Sequence, residues 1–272
     1  MCSIATQEAE TEKFMLKFSL ARQELIILVA IFVLTSLAWA YTIHLAKVME
    51  AGMAAMPDMP AMSMNTAPWD LVDVGATFVM WAVMMVAMML PSATPAITIF
   101  ARARQKREPG SLLTPTAAFA SGYLASWTLY SVAATGLQWL LHVLAMLSGQ
   151  MAINSNFITG SMLVIVGLYQ WSPWKYNCLK HCQSPIGFLF GHWRPGIEGA
   201  FRMGLEHGFY CIGCCWLLMM LLFAVGIMNL AWVAGIAIYV LLEKLLPLGH
   251  RLSQLTGVVA IAWGVLVLVG FK

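Results

Sequence analysis

The stretch GLEHGFYCIGCCWLLMMLLFAVGIM, residues Gly204–Met228, is an apolar run long enough to cross a lipid bilayer as one α-helix. It contains one histidine and three cysteines: His207, Cys211, Cys214 and Cys215. Offsets of 4, 7 and 8 from the histidine place all four side chains on one helical face. Ionisable groups inside a bilayer are costly and usually functional. The run therefore predicts a membrane-spanning helix with a stripe of soft metal ligands, although cysteines also serve as small apolar residues at helix contacts.

The rest of the chain is of the same kind. Hydrophobic residues make up 61% of it and charged residues 10%, with a mean hydropathy of +0.79, whereas about a quarter of a soluble domain is charged. Six further apolar runs are Leu25–Ile43, Val72–Phe100, Thr116–Leu147, Ile153–Trp171, Leu230–Leu246 and Ser253–Phe271. The composition predicts an all-α fold, a polytopic transmembrane helix bundle of about seven spans.

Basic residues predict the orientation. If the N-terminus lies inside, 13 of the 15 Lys and Arg fall on inner segments and only Lys47 and Lys272 fall outside. Basic residues that set topology, including the Arg102–Arg107 cluster, give no reason to expect a nucleic-acid partner. Five of the six cysteines fall in an inner loop or in the inner half of a helix and Cys2 in the inner tail, so we expect reduced thiols.

Four segments follow from this topology: a cytoplasmic N-terminal tail (1–24), a first transmembrane anchor (25–43), a Met-rich extracytoplasmic loop (44–68) and a metal-binding transmembrane bundle (69–272). Acidic residues ahead of the first apolar run argue against a cleaved signal peptide, so that run is expected to remain as an anchor.

The extracytoplasmic loop has methionines two or three residues apart: Met53, Met56, Met59, Met62 and Met64. Thioether sulfur is soft, uncharged and survives where free thiols would oxidise. The loop predicts capture of Cu(I), and the alternative is a low-complexity linker in which methionine has no special role.

Methionines also line one side of the second span, with Met84, Met88 and Met89 predicted as exchangeable metal ligands. Counted inward from Arg102 and Arg202, Met88 and Cys214 lie 14 and 12 residues deep, or roughly 21 and 18 Å at ~1.5 Å per residue. Their sulfur atoms are therefore expected at similar depth. The alternative is that methionine fills irregular helix contacts.

Cys178 and Cys182 form a C-x3-C pair in the loop predicted on the inner side. Because structural zinc sites usually use C-x2-C pairs, the spacing alone leaves metal ligation, a redox pair and chance open.

Several motifs together resemble a known family. They are Ala87-Met-Met-Leu-Pro-Ser92, Cys178-x3-Cys182, Cys211-x-Gly-Cys-Cys-Trp216, and Glu243-Lys244 followed by Pro247. This set resembles the predicted metal-binding integral membrane proteins known as domain of unknown function 2182, over roughly Trp69 to Phe271. The resemblance implies a multi-pass protein of the bacterial inner (cytoplasmic) membrane with a metal-related function.

The sequence thus predicts a Cu(I)-handling protein that acts in transport, delivery or cuproenzyme assembly, with the bilayer and a metallochaperone or assembly factor as partners. Zinc at the thiolates remains open. The alternative is a membrane thiol-disulfide oxidoreductase that uses Cys211/Cys214 or Cys178/Cys182. Nucleotide-binding and hydrolase motifs such as G-x4-G-K-[ST], G-x-S-x-G and H-E-x-x-H are absent, so an enzyme is the less favoured class.

Overall fold

The structure is a computed structural model that describes residues 2–54, 69–108, 110–144 and 155–270, without the side chains of residues 2–20, 53 and 54. Nine helices make up these ranges: α1 (Cys2–Ala54), α2 (Leu71–Arg107), α3 (Leu113–Val143), α4 (Asn156–Tyr169), α5 (Pro173–Gln183), α6 (Pro185–Gly191), α7 (Gly196–Val225), α8 (Leu230–Leu245) and α9 (Gly249–Leu268). The predicted all-α fold is confirmed for the described residues.

Four helical segments are long and apolar enough to cross a membrane: Ala21–Gly52 within α1, and α2, α7 and α9. The other three predicted spans correspond to α3, α4 and α8. Helix α3 is long but buries polar residues such as Ser126 and Gln138, whereas α4 and α8 have only 14 and 16 residues. Seven spans and an inner N-terminus therefore stay predictions.

Local sequence explains where the helices begin and end. Asp70 Oδ1 accepts hydrogen bonds from the backbone N–H groups of Val72 and Asp73, and Asp73 Oδ2 accepts one from Asp70 N–H. This capping box begins α2. Gly226, with φ of 98°, ends α7 in a conformation that glycine adopts most readily.

Helices α1 and α2 run antiparallel, because Arg102 Nε near the end of α2 lies 3.0 Å from Glu24 Oε1 near the start of the apolar part of α1. Helices α3 and α7 pack closely because each presents a glycine to the other. A Cβ on Gly122 would overlap the Phe201 carbonyl, and one on Gly204 would overlap the Phe119 carbonyl. Close contact of this kind is how helices associate inside membranes, where burial of apolar surface provides little drive.

Helix α5 lies against α7. This corrects the prediction for Cys178 and Cys182, which were expected in an inner loop. Ser172 caps α5 by accepting a hydrogen bond from Trp174 N–H, and Pro173 occupies its first turn, so the segment forms a helix that packs into the bundle.

Candidate metal centre

Four thiols meet where α5 packs against α7. The contact is closest at Gly213, where an added Cβ would lie 2.7 Å from Cys178 Sγ. One turn further along α5, the Cys182 thiol interacts with the thiols of Cys211 and Cys214. The structure thus brings together two cysteine pairs that the sequence places more than 25 residues apart, and we call Cys178, Cys182, Cys211 and Cys214 the thiol cluster.

Cys211 is the acceptor at the centre of this cluster. Its Sγ accepts a hydrogen bond from Lys244 Nζ at 2.8 Å and lies 3.0 Å from the Tyr123 hydroxyl. The thiols of Cys214 and Cys215 instead donate to the Cys211 carbonyl at 3.1 and 2.9 Å. A buried sulfur that faces an ammonium group and a phenol is well placed to carry negative charge, the form in which cysteine binds metals.

Polar groups around Cys211 connect three more helices to the cluster. Lys244 Nζ, on α8, also donates to Ser92 Oγ at 3.1 Å. Ser92 and Tyr123 in turn donate to the Met89 carbonyl, at 2.9 and 3.3 Å. Ser92 follows Pro91, so the proline-containing part of α2 faces the cluster, and α2 continues through both of its prolines.

The two cysteines of α5 lie outside the four apolar helices. Burial raises the pKa of the Cys178 thiol above its ordinary value. The pKa of the Cys182 thiol is raised well above its ordinary value. The main causes are its hydrogen bonds with Cys211 and then with Cys214, because these bonds favour a protonated donor. Cys182 is therefore a thiol that donates toward Cys211 and Cys214.

His207 is buried one turn before Cys211 and is enclosed by aromatic rings. The ring centroids of Phe188, Tyr123 and Phe119 lie 5.4, 6.0 and 6.1 Å from that of the imidazole. Its Nδ1 is buried without a hydrogen-bond partner among the described residues. A buried nitrogen without a partner costs free energy and is available to a ligand that enters beside it.

The predicted methionine ligands are placed only in part. Met84, Met88 and Met89 are buried in α2, and the Met89 carbonyl is linked to Cys211 through Tyr123. Met53 lies at the end of α1, and its side chain is not described. The remaining loop methionines, Met56, Met59, Met62 and Met64, lie outside the described residues.

In the described ranges, no group of three or more His, Cys, Asp and Glu side chains has the arrangement of a metal site. A closed four-ligand centre of the structural zinc type is therefore not preformed there. The five described cysteines are free thiols. The soft sulfur atoms of Cys211 and Cys214, beside the Lys244 ammonium group, suit a metal ion such as Cu(I) that accepts few ligands.

Sequence reasoning missed the two buried lysines. Lys175 and Lys244 were counted among the 13 Lys and Arg of the inner segments. Instead Lys175 Nζ lies 2.7 Å from Glu243 Oε1 with both side chains buried, and Lys244 contacts Cys211. The available signal was the position of Glu243-Lys244 at the end of an apolar helix that is too short to reach far beyond the bilayer interior.

Comparison with known proteins adds a family. No match was found among the curated proteins or the solved structures. The family model PpoB2, described as a copper chaperone, matches residues 78–267, which is well over half of the chain and includes α3 to α8, most of α2 and all four cysteines of the thiol cluster. The chain therefore belongs to the PpoB2 copper chaperone family.

Proposed function

We propose that this protein is a polytopic protein of the bacterial inner membrane that binds Cu(I) at the thiol cluster and delivers it for transport or cuproenzyme assembly. The observation that carries the proposal is the meeting of α5 and α7, which brings the Cys182 thiol to those of Cys211 and Cys214 within the copper chaperone family match. The family favours this function over the thiol-disulfide oxidoreductase alternative.

The outward faces of the helices support a membrane location. Large apolar side chains such as Phe32 on α1 and Trp263 and Val259 on α9 are exposed. So many exposed large apolar side chains are rare on a soluble monomer but suit a protein surrounded by lipid. The bilayer is thus the first partner of this chain, with N-terminus inside as the proposed orientation.

Cys211 is the proposed primary ligand, because the Lys244 ammonium group already donates a hydrogen bond to its sulfur at 2.8 Å. Cys214 would complete a low-coordinate site, and Cys182 is a further proposed ligand beside it. Further proposed ligands are Cys178, Cys215, His207, Met84, Met88 and Met89. Thiolates and thioethers are the ligands that favour Cu(I) among the metals of the cell, although thiolates also bind Zn(II).

The methionine loop, Met53 to Met64, is the proposed external site for Cu(I). Thioethers hold the ion weakly enough to release it, and the buried thiolates bind more strongly, so an ion would pass from the loop toward Cys211. A metallochaperone or an assembly factor for a copper enzyme would then be the exchange partner.

The deciding experiment is metal analysis of protein purified in detergent under anaerobic, reducing conditions after growth with copper. We expect about one copper ion per chain in the bundle, and its loss from a Cys211→Ser/Cys214→Ser variant. Cys2→Ser is the matched control, because Cys2 lies outside the family match, and it should retain the copper of the bundle.

Copper that is absent from the wild type, or retained fully in the double variant, would refute this site. Zinc is measured on the same samples. Stoichiometric zinc in place of copper would overturn the assignment of the metal.

A further inference from the structure

Lys244 holds a fixed positive charge beside the thiol cluster. Its Nζ donates to Cys211 Sγ at 2.8 Å and to Ser92 Oγ at 3.1 Å, and the side chain is buried. An ammonium group removed from water needs a negative charge nearby, because the loss of hydration costs several kcal/mol. The partner of this charge therefore bears on what the cluster can bind.

The adjacent carboxylate is not that partner. Glu243 lies 2.7 Å from Lys175, and both side chains are buried, so these two charges balance each other. Throughout the part of the chain that the structure describes, the ion pairs with carboxylates do not include Lys244. The negative charge that balances Lys244 must therefore lie on the sulfur atoms of the thiol cluster, of which Cys211 is the nearest.

Resting on the proposed Cu(I) function, we infer that Lys244 selects the charge of the bound ion and makes the cluster a site for soft monovalent cations. Two thiolates on Cu(I) or Ag(I) carry a net charge of about −1, which one ammonium group neutralises. The same two thiolates on a divalent ion are already neutral, so the Lys244 charge would remain buried without compensation.

The binding step balances without any redox change. The Cys211 thiolate and the Cys214 thiol take up one Cu(I), two S–Cu bonds form, one S–H bond breaks and one proton is released to the solvent. A divalent ion would need a third thiolate for neutrality. Cys182 is close, but the described residues do not arrange three such ligands around one point.

The test separates ionic charge from softness by comparing Ag(I) with Cd(II), which are both thiophilic. Each ion competes against a chelator of known affinity for the reduced full-length protein in detergent. Lys244→Met should lower the preference for Ag(I) over Cd(II) by about a thousandfold, as expected for one unit charge about 4 Å away at an effective dielectric constant of about 20.

Lys180→Met is the matched control, because Lys180 is exposed on α5, and it should leave the preference unchanged. Lys244→Arg retains the charge and should retain most of the preference. An unchanged preference in Lys244→Met that still elutes as a monodisperse helical protein overturns the inference.

If Lys244→Met does not fold, the wild type decides. Cd(II) that displaces Ag(I) from the wild-type cluster at comparable concentrations overturns the inference, and exclusion of Cd(II) supports it. A wild-type protein that binds neither Ag(I) nor Cu(I) refutes the proposed function itself, which is a different result.

Discussion

The buried ion pair between α5 and α8 offers a sharp test of how this bundle is stabilised. Lys175 Nζ lies 2.7 Å from Glu243 Oε1, with side-chain exposures of 1% and 0%. At that distance the attraction is about 6 kcal/mol for an effective dielectric constant of about 20, which is similar to the cost of removing both charges from water. The pair should therefore contribute little net free energy while it is intact.

Removing one partner is a different perturbation. Lys175→Met leaves the Glu243 carboxylate buried without its cation, and we expect a loss of about 3–5 kcal/mol in the free energy of unfolding. Lys175→Met/Glu243→Leu removes both charges and keeps most of the volume. The double variant should recover to within about 1 kcal/mol of the wild type or exceed it.

The assay is SDS-induced unfolding of the protein in mixed micelles, followed by circular dichroism. Alkylation of Cys178 and Cys182 serves as a local readout, because α5 carries both and should detach first in the single variant. An exposed pair on α7 gives the matched control. Arg202 Nη2 lies 2.6 Å from Glu198 Oε1, at exposures of 57% and 77%, so Arg202→Met should cost less than about 0.5 kcal/mol.

Two results would refute this reasoning. A single variant that loses less than about 1 kcal/mol would show that water reaches the Lys175–Glu243 pair. A double variant as unstable as the single one would show that the geometry of the pair, rather than charge compensation, holds α5 in place.

Three other substitutions test the packing around the site. Gly204→Val should lower stability by about 3 kcal/mol or more, measured in the same SDS titration, because the new side chain would overlap the Phe119 carbonyl of α3; equal stability would contradict the contact. Gly213→Ala should weaken Cu(I) binding in chelator competition about tenfold without unfolding α7, since its Cβ would lie 2.7 Å from Cys178 Sγ, and unchanged affinity would exclude Cys178 from the site. Asp70→Ala should cost about 1 kcal/mol by removing the N-cap of α2, with Asp70→Asn as the variant that keeps most of it.

Much of the fold could be predicted from the chain alone. Apolar runs of about 20 residues mark α1, α2, α7 and α9, because length and hydropathy are local properties. Helices α3, α4 and α8 are harder to assign as spans, since their polar or short sequences make sense only beside their neighbours. The segment 173–183 was taken for a loop because it is polar, yet it packs as α5 against α7.

The candidate site, like the fold, was predictable from the sequence only where it depends on spacing within one helix. The spacing of His207, Cys211, Cys214 and Cys215 places them on one face of any helix they form, so the sequence by itself determined that stripe and its soft-ligand chemistry. Only the tertiary structure decided which groups face it: Cys182 from α5, Tyr123 from α3 and Lys244 from α8. Residue spacing specifies geometry within one helix, whereas the contacts between helices depend on close packing at glycines and on the balance of buried charge, which no local pattern contains.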